Sequence, residues 1–577
     1  MKKKLLPALI VTGLIILVVI IMGITALINK YTPTKKTEDL KEYFNISSDD
    51  EAALIVDNEL SDYKAKIIDK KIYVDYKFVH DSLNSRFYWD ANENVLLYTT
   101  ASDIISAAAD SNSYSVTKQT NDFGYPIVKA TSDSALIALD YVKQYSNITF
   151  KSYDDPARIV ITSKWDEIDS ATVSKSTQIR VKGGIKSPIL KEVKKDDKIT
   201  ILDSGDKWDK VATEDGVIGY IKRKALSESK KTKLTNPDYE EETFTHIKKD
   251  KDICLAWNQV TSQSANSKVP QVISSTKGIN VMSPTWFYLN DNNGNLADIA
   301  SKDYVSYCHS QGIEVWGLFS NLENTDVDAA YVLTHTSTRT TLINQIMSAA
   351  FNYELDGVNI DFENITEAAY GDSYIEFIRE LSIKCHNNGI SLSVDVTVPA
   401  SFNKFFNRSD MAKFADYIVI MGYDEHYKGS DAGSVSSIPW VTEGVESTLK
   451  EVPADQIILG MPFYTRIWEL TPKEDDDAVT DTEDQSKYTV ASQVYSMDAA
   501  AAQLATNNAT AALDEESGQN YAEWSVSNKL YKVWLEDTTS LEKRLKLVDD
   551  NKLAGAAFWK LGFENSSVWD TVIKYLN

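Results

Sequence analysis

The stretch Leu355-Asp356-Gly357-Val358-Asn359-Ile360-Asp361-Phe362-Glu363 sets an amide and two acids at alternate positions. A period of two is the pleat of a β-strand, so Asn359, Asp361 and Glu363 share one face and Val358, Ile360 and Phe362 the other. Carboxyls crowded on one surface push each other toward the neutral form, and burial pushes them further. A carboxyl that is still protonated near neutral pH is what a general acid needs. A polar strand end or a calcium-lining loop would show the same spacing, so the residues by themselves leave those readings open.

The elements that must hold this face are legible around it. From Ile253 onward, apolar strands alternate with helical segments, the pattern of a parallel sheet built from βα units. Eight strands are predicted, at 253–257, 279–283, 314–319, 357–363, 391–398, 417–421, 457–461 and 554–559. Between the fourth and fifth, residues 372–387 place Ile375, Ile378, Leu381 and Ile383 at helical spacing. The fold class is therefore α/β, a (β/α)8 TIM barrel. An α+β insertion of roughly 90 residues separates strands seven and eight and includes the acidic run 474–484. In such a barrel the chemistry sits at the C-terminal ends of the strands, where Asp361 and Glu363 fall.

Asp356-Gly357-x-x-x-Asp361-x-Glu363 at a strand end resembles the catalytic signature of glycoside hydrolase family 18, the chitinases and related N-acetylglucosaminidases. Three later strand ends carry the same resemblance. They are Met421-Gly422-Tyr423-Asp424, Gly460-Met461-Pro462-Phe463-Tyr464-Thr465-Arg466 and Phe558-Trp559-Lys560-Leu561-Gly562. Ser283-Pro284-Thr285-Trp286-Phe287 and the Trp559-x-Leu-Gly ending look most like the bacterial spore-cortex branch.

No second carboxylate stands obviously opposite Glu363, and the resemblance implies that none is needed, because the substrate's 2-acetamido group serves as nucleophile. It implies Glu363 as acid and then base, Asp361 as the holder of the acetamido N–H, and Tyr423 as donor to its carbonyl. Asn359, Asp424, Trp559, Tyr464, Arg466, Trp286 and Met421 are the implied substrate-binding residues. Read without the resemblance, Trp559 or Trp286 could be barrel core, Arg466 a surface ion pair, and Tyr423 and Asp424 partners of a loop. The family usually has an aspartate where this chain has Asn359. An amide there can only donate toward a carboxyl, and it is expected to favour ionised Asp361 and leave less repulsion on Glu363.

The 577 residues carry 60 basic and 84 acidic side chains, a net charge of −24, which argues against nucleic acid as a partner. An apolar share of 43% describes a folded chain of about three to four domains. Cys254, Cys308 and Cys385 are too few for a disulfide framework and read as buried thiols. Asp424-Glu425-His426 is a weak metal candidate because consecutive side chains diverge, and no cofactor is expected.

Ahead of the barrel, three lysines precede an apolar run at 5–28, long enough to span a bilayer. It reads as a retained anchor with a cytoplasmic tail at 1–4 and the body outside the cytoplasm, the alternative being secretion after cleavage. A polar stalk is expected at 29–50. Residues 51–165 contain a twofold repeat, each copy read as a short helix and a hairpin, in the order of the copper amine oxidase N-terminal-like domain. Residues 171–228 read as a small all-β barrel resembling a bacterial SH3-like domain. A linker at 229–245 leads to the catalytic barrel at 246–577. The expectation is a membrane-anchored retaining glycosidase that cleaves β-1,4 bonds after N-acetylglucosamine in peptidoglycan. A chitinase, a hydrolase of host glycans and a non-catalytic glycan-binding module are the alternatives.

Overall fold

The computed structural model describes residues 5–363, 365, 370–473 and 484–576. The tail 1–4 and nearly all of the acidic run, residues 474–483, lie outside the described residues. The chain divides into two compact units.

In the second unit, eight parallel strands close on themselves. They are β1 (Ile253–Asn258), β2 (Val281–Leu289), β3 (Glu314–Ser320), β4 (Gly357–Asp361), β5 (Ser391–Thr397), β6 (Tyr417–Met421), β7 (Ile457–Pro462) and β8 (Gly555–Trp559). Each pairs with its sequence neighbour, and β1 pairs with both β2 and β8, which closes the barrel. All eight predicted strands are present. The second runs on to Leu289, because a register break between Thr285 and Phe287 lets it continue and pair with Leu296–Asp298. The fourth stops at Asp361, so Glu363 lies beyond the ladder.

Alternation along the strands sorts the side chains into two cores. Leu255, Trp257, Trp316, Leu318, Val419 and Ile458 fill the barrel interior. Val358, Ile360 and Phe362 face outward among the helices, where Phe362 stacks on Phe377 of the helix Gly371–His386 at 5.5 Å. Gly357 is required by the interior, since a Cβ there would stand 2.5 Å from the Trp316 ring. The three cysteines are buried and free, with the Cys254 and Cys308 thiols pushed up to about 12 by burial. Such thiols are inert packing groups.

Between β7 and β8 the insertion forms a five-stranded sheet from Tyr464–Pro472, Tyr488–Ser496, Ala512–Asp514, Gln519–Val526 and Lys529–Leu535, with a helix at Met497–Thr506. Its exit is tied to the barrel by a buried pair. Glu536 accepts twice from Arg544 at 2.8 Å, and Ser540 and Gln519 donate to the same carboxylate.

Residues 90–106 and 115–120, which the sequence places in the accessory region, belong to the barrel's unit. Asp90 accepts from the backbone N–H and the hydroxyl of Thr336 at 2.7 and 2.6 Å, capping the helix Thr336–Tyr353 across 246 residues of chain. The residue at the cap position, His335, makes no such bond. Thr99 donates at 2.9 Å to Glu376, which with Arg379, Asp410, Arg339 and Glu380 forms a buried ionic cluster on the outer helices.

The first unit holds the helix Leu5–Tyr31, whose segment Pro7–Tyr31 has a mean hydropathy of 2.9 and is long and apolar enough to cross a membrane. The repeat is present in a modified form, each copy opening with a strand where a helix was expected. Lys71–Asp75 leads into Tyr76–Phe78, and Ala135–Ala138 leads into the helix Leu139–Tyr145. The two opening strands pair antiparallel, Val74 opposite Ile137, because their apolar residues alternate against a common core. The segment 29–50 is only partly a stalk. Phe44 is fully buried among Ile179, Val211 and Ile221, and Tyr43 donates to the Ile218 carbonyl at 2.6 Å. The residues after 171 form an antiparallel sheet that also recruits Glu167–Thr172 and, from the expected linker, Lys230–Lys233.

Candidate active site

Asn359 is buried at the centre of the barrel, and all four of its hydrogen-bonding positions are used. Its Oδ1 accepts from Trp257 Nε1 at 2.9 Å and Ser283 Oγ at 3.0 Å. Its Nδ2 donates to Ser393 Oγ at 3.1 Å and Asp395 Oδ1 at 2.7 Å. This corrects the expectation for Asn359. The amide serves Asp395 on β5 and not Asp361, because interior positions at one level of the barrel meet across neighbouring strands.

Asp361 therefore has no help from Asn359. Its Oδ1 is buried without a hydrogen-bond partner. Burial first, then the charges of Asp395, Glu363 and Glu323, hold its carboxyl well above the usual carboxylate range. Glu363 meets solvent, yet enough protein surrounds it that burial is still the largest influence raising its carboxyl, followed by the charges of Asp424 and Glu323. The direction required of a general acid is present, though its sources are residues that the spacing on β4 does not reveal.

Other strand ends complete the group. Tyr423, after β6, is held above its ordinary value by burial and by Asp395, Asp361 and Glu363, so it remains a hydroxyl donor. Asp424 has a left-handed backbone, φ 60°, and accepts from the Tyr464 hydroxyl, while the Arg466 guanidinium lies 3.6 Å from the same oxygen. Arg466 also donates to Ser492 of the insertion at 3.1 Å. Trp559 at the end of β8 is half-buried, its ring 5.9 Å from that of Trp257, and Met421 is buried at the end of β6. Asn359, Asp361, Glu363, Tyr423, Asp424, Tyr464, Arg466, Trp559 and Met421 thus converge at the C-terminal ends of the strands.

Trp286 does not join them. It is fully buried outside the strands, donating from Nε1 to Asn266 at 2.8 Å and packing on Tyr304 at 4.9 Å. Alternation along β2 sets it outward with Met282, since Val281 and Ser283 face the interior. Asp424, Glu425 and His426 diverge as consecutive side chains do. Glu425 accepts from Ser437, and His426 bonds the Ser434 carbonyl. Among the described residues no group of three or more His, Cys, Asp or Glu side chains is placed to hold a metal.

Three further residues belong to the site. Ser393 and Asp395 lie on the polar side of Ser391-Leu392-Ser393-Val394-Asp395, a period-two signal on β5 that matches the one on β4. Glu323, three residues past β3 and hydrogen-bonded by the Ser320 hydroxyl, has no sequence signal beyond its place after a strand end.

A closed eight-stranded barrel with an acid and its polar neighbours at the strand ends is the architecture of a TIM-barrel hydrolase. Residues 322–564 match the family described as glycosyl hydrolases family 18, so the barrel is a glycosidase domain of that family. The chain is 24% identical over 302 residues to the "Uncharacterized glycosylase YvbX" of Bacillus subtilis, covering 49% of this chain and 81% of that one. It is 24% identical over 287 residues to a "Cortical fragment-lytic enzyme" of the same organism, covering 48% and 63%. The solved spore cortex-lytic enzyme SleL of Bacillus megaterium QM B1551 superposes with a TM-score of 0.49 at 19% identity, covering 60% of this chain and 77% of that one.

Proposed function

We propose that the protein is a retaining glycosidase that cleaves β-1,4 bonds after N-acetylglucosamine in peptidoglycan, with the substrate's acetamido group as nucleophile. One observation carries the reading. Glu363, its carboxyl raised, stands at a barrel mouth beside Asp361 and a protonated Tyr423, with the aromatic Trp559 across the same opening. Glu363 protonates the glycosidic oxygen while the acetamido oxygen attacks the anomeric carbon, and it then takes a proton from the incoming water. Asp361, still protonated, accepts from the acetamido N–H on its carbonyl oxygen, Tyr423 donates to the carbonyl side, and the Trp559 face supports the sugar. Asp424, held by Tyr464 and Arg466, binds beside them.

Relatives named for cortex lysis favour peptidoglycan as the substrate. The resemblance of residues 51–165 and 171–228 to a copper amine oxidase N-terminal-like and an SH3-like domain points the same way. An N-terminal anchor with the body outside the cytoplasm would raise the effective concentration of the barrel at the wall without new contacts in the cleft.

The test is incubation of purified peptidoglycan with the full chain in detergent, alongside Glu363→Gln, identifying the new reducing ends. Reducing-end N-acetylglucosamine is expected, falling at least about 100-fold in the variant. Release from chitin oligomers alone would move the substrate to chitin. No release from either would overturn the enzymatic reading.

A further inference from the structure

Trp257 Nε1 can only donate, so the Asn359 amide has one possible orientation, with Oδ1 toward Trp257 and Nδ2 toward Asp395. An N–H that donates to a carboxyl favours its ionised form. Burial and the Glu363 charge raise Asp395, and the Asn359 bond opposes them, so of the two carboxyls Asp395 is the one with a donor in place for its ionised form. Asp361 lies one step along the same face of β4, with one oxygen buried and unpartnered, which is the setting of a carboxyl that keeps its proton. The β4–β5 register, with Ile360 opposite Val394, brings Asp361 and Asp395 to the same level on neighbouring strands, where the two cannot both ionise readily.

We propose that Asp395 is a positioning residue that keeps the Asp361 carboxyl protonated in the resting site, supplying from β5 the charge that an amide at 359 cannot supply from β4. The remaining groups that act on the pair are Glu363 beyond β4, Glu323 after β3, Tyr423 after β6 and Tyr374 on the helix after β4, all carboxyls or phenols. The kinetic consequence rests on the proposed glycosidase activity, whereas the protonation itself does not.

Asp395→Asn keeps shape and removes the charge. The Asp361 proton is then lost at lower pH, so the alkaline limb of the kcat profile is expected to move down by about one unit or more. The value of kcat at neutral pH should fall about tenfold with KM within about twofold. The double variant Asn359→Asp/Asp395→Asn returns a carboxyl beside Asp361 and is expected to recover the limb and most of kcat.

Thermal unfolding supplies a readout independent of turnover. The two facing carboxyls bind a proton more tightly in the folded protein than in the unfolded chain, Asp361 holding it, so the pair contributes stability that is complete below the usual carboxyl range and lost as pH rises through its folded value. The Tm of the wild-type chain should therefore fall more between pH 5 and 8 than that of Asp395→Asn. Parallel Tm curves would overturn the proposal, as would an unchanged kcat profile, or a double variant no better than Asp395→Asn. A wild-type chain that hydrolyses no glycan would remove the proposed function, and the Tm comparison would still decide the role of Asp395.

Discussion

Glu363 owes its raised carboxyl first to burial and then to charges that follow other strands. Glu323 follows β3 and Asp424 follows β6, and each raises the carboxyl that must deliver a proton. Removing one like charge lowers that value, and a general acid works only while protonated. Glu323→Gln is therefore expected to move the alkaline limb of kcat/KM to lower pH and leave the rate on the acidic side within about twofold, read from initial rates across pH. Asp424 is a poorer choice for this experiment, because its loss also strands the Tyr464 hydroxyl and the Arg466 guanidinium. The polar face of β4 and its acid were legible from alternation alone. The partners of Asn359 were not, because hydrogen bonds across a barrel depend on the level at which neighbouring strands are staggered.

At the scale of elements, the capping of Thr336–Tyr353 by Asp90 makes a stretch of the accessory region part of the catalytic unit. The same carboxylate also accepts from the backbone of Asn92 and Glu93, so it orders its own hairpin and the helix start together. Asp90→Ala would leave the half-buried Thr336 N–H without its acceptor. A loss of about 1–3 kcal/mol in stability of the barrel transition is expected, measured by denaturant titration, while Asp90→Asn should cost less. The barrel's eight strands were legible because each is an apolar run bounded by turn residues. The repeat's opening strands were read as helices because four or five apolar residues fit either period, and pairing between the copies decided for the strand.

At the scale of the whole chain, the helix Leu5–Tyr31 rises about 40 Å, more than the hydrocarbon thickness of a bilayer. Thr12 and Thr25, its two threonines, bond carbonyls one turn back at 2.9 and 2.6 Å, so their hydroxyls are satisfied within the helix. The full chain is expected to stay with the membrane fraction through a high-pH carbonate wash, and a chain lacking residues 5–28 to be released. Release of both would remove the anchor.

Sequence by itself determined the barrel, its insertion, the apolar N-terminal helix and the strand end that carries Glu363 and Asp361, because periodicity and local motif are properties of contiguous residues. Tertiary structure alone decided that Trp286 is core, that Asn359 serves Asp395, that Glu323 bears on the acid and that Asp90 caps a helix of the barrel. Each of those depends on residues between 20 and 250 positions apart meeting at a given height and face, which no local pattern records.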